Sequence, residues 1–152
     1  MHLISRRLFI VLIAFLPLAG IALAHSYRVG PLQIGHAWAL PPAQGANEIK
    51  GFVPLSVDLT AEKGEKLEKA DSSFAGKIEI RRTLPDGSVE TLQGLDIEPG
   101  QPVAMREGGL YLAFLDLKQP LKTGDRLAAR LYFSGREPLA VDFIIQAAPE
   151  HR

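Results

Sequence analysis

Apolar and polar positions along this chain come in short runs that alternate, with few stretches of helical period. Lys77-Ile-Glu-Ile-Arg-Arg82 is the clearest case. Ile78 and Ile80 fall on one side and Lys77, Glu79 and Arg81 on the other, the period of two that a strand imposes. Pro85-Asp86-Gly87 then reads as a hairpin turn, and Val89 to Leu92 as the returning strand. Leu110 to Leu117, Arg126 to Phe133 and Leu139 to Ile145 are three further strands, and Pro102 to Arg106 is a short one around an apolar Met105. Nearer the start, Tyr27 to Ile34 reads as one strand interrupted at Gly30-Pro31, and Leu40 to Asn47 as a loop. Glu48 to Leu59 reads as a longer strand in which Pro54 marks an edge or a bulge. Thr60 to Gly64 is a polar turn and Lys66 to Ala70 a short return; Glu62 to Lys69 also has the spacing of a brief helix, which Gly64 weakens. Short strands separated by turns predict an all-β domain, an antiparallel β-sandwich or barrel. No internal repeat or low-complexity segment interrupts it.

The amino terminus follows a different pattern. Arg6 and Arg7 precede an apolar run from Leu8 to Ala19, and Ala22-Leu23-Ala24 has the small-x-small form of a cleavage site. These features predict a secretory signal peptide over residues 1–24. The apolar run is short of the roughly 20 residues that span a bilayer, so the processed chain is expected to carry no membrane insertion. A single domain over residues 25–146 and a solvated tail over 147–152 complete the division. Without Arg6 and Arg7 the chain has 15 basic residues against 17 acidic ones. No basic stripe points to nucleic acid. There is no cysteine, which excludes disulfides and thiolate chemistry and leaves stability to burial.

Four blocks of sequence, in order, resemble those of the PCu(A)C family of periplasmic copper chaperones. Val29-Gly-Pro-Leu-Gln-Ile-Gly-His-Ala-Trp-Ala39 is similar to the family's Val-Gly-x-Leu-x-Ile-x-His-Pro-Trp-Ala opening. Ala70-Asp-Ser-Ser-Phe-Ala-Gly-Lys-Ile-Glu-Ile80 is similar to its Ala-Ser-Ser-Pro-x-Ala-x-x-Val-Glu-Ile segment, and Leu95-Asp-Ile-Glu-Pro-Gly100 to its Leu-x-Ile-Pro-Ala-Gly turn. The fourth block, Gly108 to Asp125, resembles a Gly-Gly-Tyr-His-x-Met strand leading into Leu-Lys-x-Pro-Leu-Lys-x-Gly-Asp. The resemblance implies a cupredoxin-like fold of Greek-key type, a periplasmic location, and copper delivery toward cytochrome oxidase assembly.

It also implies where Cu(I) would sit, and there the chain departs from its pattern. The family's first His falls on Arg81, its His-x-Met pair on Tyr111 and Ala113, and the thioether downstream of the first His on Leu92 or a neighbour. Cu(I) favours thioether and imidazole donors. A methyl group has no lone pair, a neutral phenol is a poor donor, and a guanidinium stays protonated and repels a cation. The ancestral Cu(I) site is therefore expected to be lost. Arg81, Arg82 and Tyr111 form a patch for an anion or partner, or else they are solvated or paired with carboxylates such as Glu79.

Other donors are few. Cleavage after Ala24 makes His25 the first residue, whose α-amine and imidazole together suit Cu(II) in an arrangement that resembles the histidine brace of some periplasmic copper proteins. His36 is the second His such a site requires; alternatively it is a structural residue buried beside Trp38 with a backbone hydrogen bond. His151 lies in the tail, and Met105 reads as core filler. No catalytic motif is present, so no enzymatic activity is expected. The reading is a copper chaperone by descent, binding copper weakly or through His25. A metal-free interaction module docking a membrane or periplasmic protein is the alternative, and an anion binder at Arg81 the third.

Overall fold

The computed structural model describes residues 26–148. The expected signal peptide, His25 and His151 lie outside them. Twelve strands are present, and no helix occurs among the described residues: β1 (Tyr27–Val29), β2 (Leu32–Ile34), β3 (Trp38–Ala39), β4 (Glu48–Phe52), β5 (Leu55–Val57), β6 (Glu65–Asp71), β7 (Ala75–Thr83), β8 (Val89–Leu92), β9 (Leu95–Ile97), β10 (Leu110–Leu117), β11 (Arg126–Phe133) and β12 (Leu139–Ile145). Nine of them form one sheet in the order β8-β7-β10-β4-β3-β12-β11-β6-β9, and β1-β2-β5 form a second. All pairings are antiparallel except β12 with β3. The order joins strands distant in sequence, and the fold is the all-β, nearly closed sandwich that the alternation predicts.

The differences from the expected elements have local causes. Tyr27 to Ile34 is a hairpin of two strands, because Gly30 takes φ 59° at the first of two turn residues, the conformation that such a tight turn requires. Glu48 to Leu59 divides between the two sheets at Val53-Pro54. Pro54 has no N–H to give a ladder, but its carbonyl accepts from Gly35 N at 2.8 Å. Glu65 to Asp71 is a strand throughout. Its buried residues Leu67 and Ala70 are three apart, the spacing that resembles a helix, because two steps on β6 from Lys69 to Leu67 match a single step on β11 from Tyr132 to Phe133. That is a β-bulge. Gly64 ahead of it has no room for a side chain, since a Cβ would meet the Ile97 carbonyl oxygen at 2.6 Å. Around Met105, Val103 makes only an isolated bridge to Leu55. Met105 itself is buried in the core, as expected.

The core lies between the facing sides of the sheets. Along β11, Leu127, Ala129, Leu131 and Phe133 are buried while Arg126, Ala128 and Arg130 are exposed. Phe114 of β10 meets Phe143 of β12 edge to face at 5.2 Å. Gly51 of β4 leaves the space they fill, because a Cβ there would stand 2.6 Å from the Phe114 ring. Burying each such large apolar side chain contributes about 1.5–3 kcal/mol relative to exposure, and with no cysteine in the chain this packing carries the stability.

Candidate functional site

Strands β7, β10 and β4 are adjacent, and their registers decide which side chains meet. Arg81 stands opposite Tyr111 and Glu79 opposite Ala113; Ala113 in turn stands opposite Lys50 on β4. The register that pairs Leu112 with Gly51 also sets Tyr111 opposite Phe52. Phe52 pairs with Trp38 of β3, and their rings stack with centroids 4.4 Å apart. On the far side, Thr91 of β8 stands opposite Arg81. One row therefore runs Trp38, Phe52, Tyr111, Arg81, Thr91 across five strands. Arg81, Tyr111 and Ala113, the positions that the family resemblance singles out, come together on one face.

An ion-pair network occupies the place. Arg81 Nε donates to Glu79 Oε2 at 2.8 Å, and its Nη1 lies 3.4 Å from Glu48 Oε2. Lys77 pairs with the other oxygen of Glu79, and the Thr91 hydroxyl donates to Glu79 at 3.4 Å. The Arg81 side chain is 22 % exposed and that of Glu79 14 %. The hydrogen bond from Lys77, then that from Arg81, hold the Glu79 carboxyl below the usual carboxylate range. Burial alone would lower the Arg81 pKa, but the Glu79 hydrogen bond and the charges of Glu48 and Glu79 more than offset it and raise the value. Lys50 Nζ lies 5.1 Å from the Tyr111 ring centroid, within cation–π range.

The expected patch of Arg81, Arg82 and Tyr111 does not form. Tyr111 is 2 % exposed and Ala113 is fully buried, while Arg82 falls on the opposite face and pairs with Glu90 at 3.2 Å. Pairing of Arg81 with Glu79, the other expectation, is what the structure shows. Leu92 stands opposite Ile80, so the β8 residue beside Arg81 is Thr91. Glu48 and Lys50 were not anticipated as members of the site, although Glu48-Ile-Lys50 alternates in the manner of Lys77 to Arg81. His36 follows β2 and is half-buried, two residues ahead of Trp38 of β3. No group of three or more His, Asp or Glu side chains arranged to hold a metal occurs among the described residues.

The nearly closed β-sandwich is a fold shared with solved PCuAC domains. The chain superposes on the apo PCuAC domain from PmoF1 with a TM-score of 0.70 and 25 % identity, covering 82 % of this chain and all of that one. On the copper-bound PCuAC domain from PmoF2 the TM-score is 0.71 at 18 % identity, over 82 % and 99 % of the two chains. The solution structure of CuI-DR1885 from Deinococcus radiodurans gives 0.61 at 17 %, over 72 % and 74 %. Residues 32–145 match the family model described as putative lipoprotein LpqE-like, and the chain belongs to that family. The putative lipoprotein Lxx21020 of Leifsonia xyli subsp. xyli (strain CTCB07) is 28 % identical over 116 residues, 72 % of this chain and 68 % of that protein.

Proposed function

We propose that this protein is an extracytoplasmic, non-enzymatic member of the copper-handling PCuAC class whose Cu(I) position has been converted into a guanidinium-centred ion pair. The observation that carries the reading is Arg81. It stands beside Tyr111 where the resemblance puts two imidazoles, and it holds Glu48 and Glu79 with a permanent positive charge. A cation entering this place would have to displace a paired guanidinium and find no thioether or imidazole on the described residues of β7, β8 or β10. The leader-like residues 1–24 and the lipoprotein names of the family and the relative support export to the periplasm. Copper handling toward cytochrome oxidase assembly is the role that the resemblance supplies, with this domain acting as an accessory that does not carry Cu(I) at β7–β10.

Restoring the donors tests the reading. The unaltered protein should show no Cu(I) binding at this face in a competition titration. The combined variant Arg81→His, Tyr111→His, Ala113→Met should gain Cu(I) that the competitor removes only in excess. Tight Cu(I) binding by the unaltered protein that survives replacement of its histidines would overturn the closed-site assignment.

A second reading is a metal-free module that docks a periplasmic or membrane protein. It is favoured by β8, an edge strand of the large sheet in which Val89 is 51 % exposed, since an unpaired edge accepts an added strand. Thermal stability that no copper ion shifts would favour it, because a ligand held only by the folded state raises stability.

A further inference from the structure

We propose that the outer edge of β8 docks an extended segment of a partner protein in which a lysine or arginine, flanked by β-branched residues, lies opposite Glu90. This partner chemistry rests on the docking reading and deepens it, and it does not depend on copper.

The sheet edges differ in how they are closed. On β1 the Val29 carbonyl accepts from Arg136 Nη1 at 3.1 Å. The outer side of β5 is met by Val103, which exchanges bonds of 3.2 and 2.8 Å with Leu55. At one end of the large sheet β9 is three residues long, and the chain beyond it bridges from Pro99 to Val57. At the other end, no backbone group from Val89 to Leu92 is bonded on the outer side of β8 among the described residues. Edges are commonly guarded by lysine, proline or a bulge. Val89-Glu-Thr-Leu92 has neither residue, and its register with β7 is unbroken.

The phase of that ladder decides what the edge offers. Leu84 N donates to the Ser88 carbonyl at 2.8 Å, while Thr83 N turns away to the Gly109 carbonyl at 2.9 Å. Bonded and non-bonded pairs alternate in an antiparallel ladder. Arg82–Glu90 and Ile80–Leu92 are therefore the bonded pairs, and Thr83–Val89 and Arg81–Thr91 are not. Val89 and Thr91 thus direct their N–H and C=O groups outward, and both residues are exposed.

Charge selects the occupant. From Pro85 to Gly94 the only charged residues are Asp86 and Glu90. Asp86 accepts from the Ser88 N–H and hydroxyl. Glu90 meets Arg82 on its inner side at 3.2 Å and is 41 % exposed beyond it. A strand added at the edge sets one residue opposite Glu90 on the same face. A cation there completes a row of alternating charge, whereas a carboxylate meets its like. On the other face Val89 and Thr91 suit β-branched neighbours. A second copy fits poorly, because the two-fold pairing of Val89 with the other copy's Thr91 sets the two Glu90 side chains against each other. Glu90 guards the edge against its own copies and marks it for a basic strand.

The test uses the intact, isotope-labelled protein and a short synthetic peptide whose central lysine lies between valine and threonine. On titration the amide resonances of Val89 and Thr91 should shift, and those of Glu90 and Leu92 much less. Exchanging the central lysine for glutamate should weaken binding about fivefold, and Glu90→Lys should reverse the preference. Val89→Pro removes an outward N–H and no ladder bond, so it should abolish the shifts; thermal unfolding checks that it folds. Equal binding of the two peptides at Val89 and Thr91 would overturn the basic partner and leave docking at this edge standing. No shift on β8 with either peptide would overturn both. A dimer in sedimentation that Val89→Pro dissolves would give the edge to a second copy and overturn the guard assigned to Glu90.

Discussion

Two arginine clusters lie on the nine-stranded sheet and are built from the same parts. On β6 and β11, Arg130 makes two hydrogen bonds to Asp71 at 2.8 and 2.9 Å, and the Tyr132 hydroxyl donates to the same carboxylate at 2.6 Å. Lys69 stands 4.7 Å from the Tyr132 ring centroid. On β7, β10 and β4, Arg81 holds Glu79 and Glu48, and Lys50 stands over Tyr111. Hydrogen-bond geometry is better in the first cluster, yet its arginine and aspartate side chains are 62 % and 44 % exposed. Those of Arg81 and Glu79 are 22 % and 14 % exposed, and Tyr111 is buried. The first is an ion pair on a solvated sheet face, where water and salt compete for both partners. The second is a partly desolvated seat, in which loss of one partner leaves a charge short of solvent. Burial, rather than contact geometry, distinguishes the face on which the sequence resemblance places the metal.

The tyrosines separate the clusters most sharply. Tyr111→Ala removes a buried aromatic ring between Phe52 and Arg81 and should cost about 3–5 kcal/mol of unfolding free energy. Tyr132→Ala, on the open face, should cost only a small fraction of that. Urea unfolding of the two variants checks the contrast, and equal losses would break it. The carboxylates come next. Glu79→Gln leaves Arg81 with Glu48 alone and frees Lys77, for an expected loss of about 1–3 kcal/mol. Asp71→Asn should lose much less, and 1 M salt should erase most of what it does lose while leaving most of the Glu79→Gln effect. A salt-insensitive Asp71→Asn loss as large as that of Glu79→Gln would show that exposure is not what separates them.

Much of this was legible in the residues, and the exceptions have physical causes. Strands β11 and β12 follow directly from alternation, since each has one face in the core and one outside. The alternation of Lys77 to Arg81 also placed Arg81 with Glu79. The bulge in β6 was not legible, because its extra residue is defined by the register of a partner strand about 60 residues away. Nor was the transfer of the chain between sheets at Pro54, which depends on a carbonyl reaching Gly35. At the site, the burial of Tyr111 escaped the sequence because β10 has four consecutive buried residues, Tyr111 to Phe114, so both of its faces are covered there and alternation no longer reports exposure. Lys50 and Glu48 escaped because cross-strand neighbours are set by register, which no spacing within β4 reveals.

The smallest effect is one of pH, and its sign is fixed. Glu79 and Asp71 are both held below their ordinary values, Glu79 chiefly by Lys77 and then Arg81, Asp71 chiefly by Arg130. A carboxyl depressed in the folded state contributes stability that is fully present above its unfolded pKa and is lost as pH falls through the folded one. For Glu79 that loss begins near the ordinary value of 4.5 and continues below it. Glu79→Gln has nothing to lose in that window, so its deficit should be full near neutral pH and should shrink as the solution is acidified, with the two stability curves converging in acid. Asp71→Asn should converge in the same direction with a smaller amplitude, because water already solvates much of that carboxylate. Urea midpoints from neutral pH down into the acid range decide it. Should Asp71→Asn flatten the acid limb more than Glu79→Gln, the open cluster would be the stronger of the two, and the assignment of the buried seat to Arg81 and Glu79 would have to be reversed.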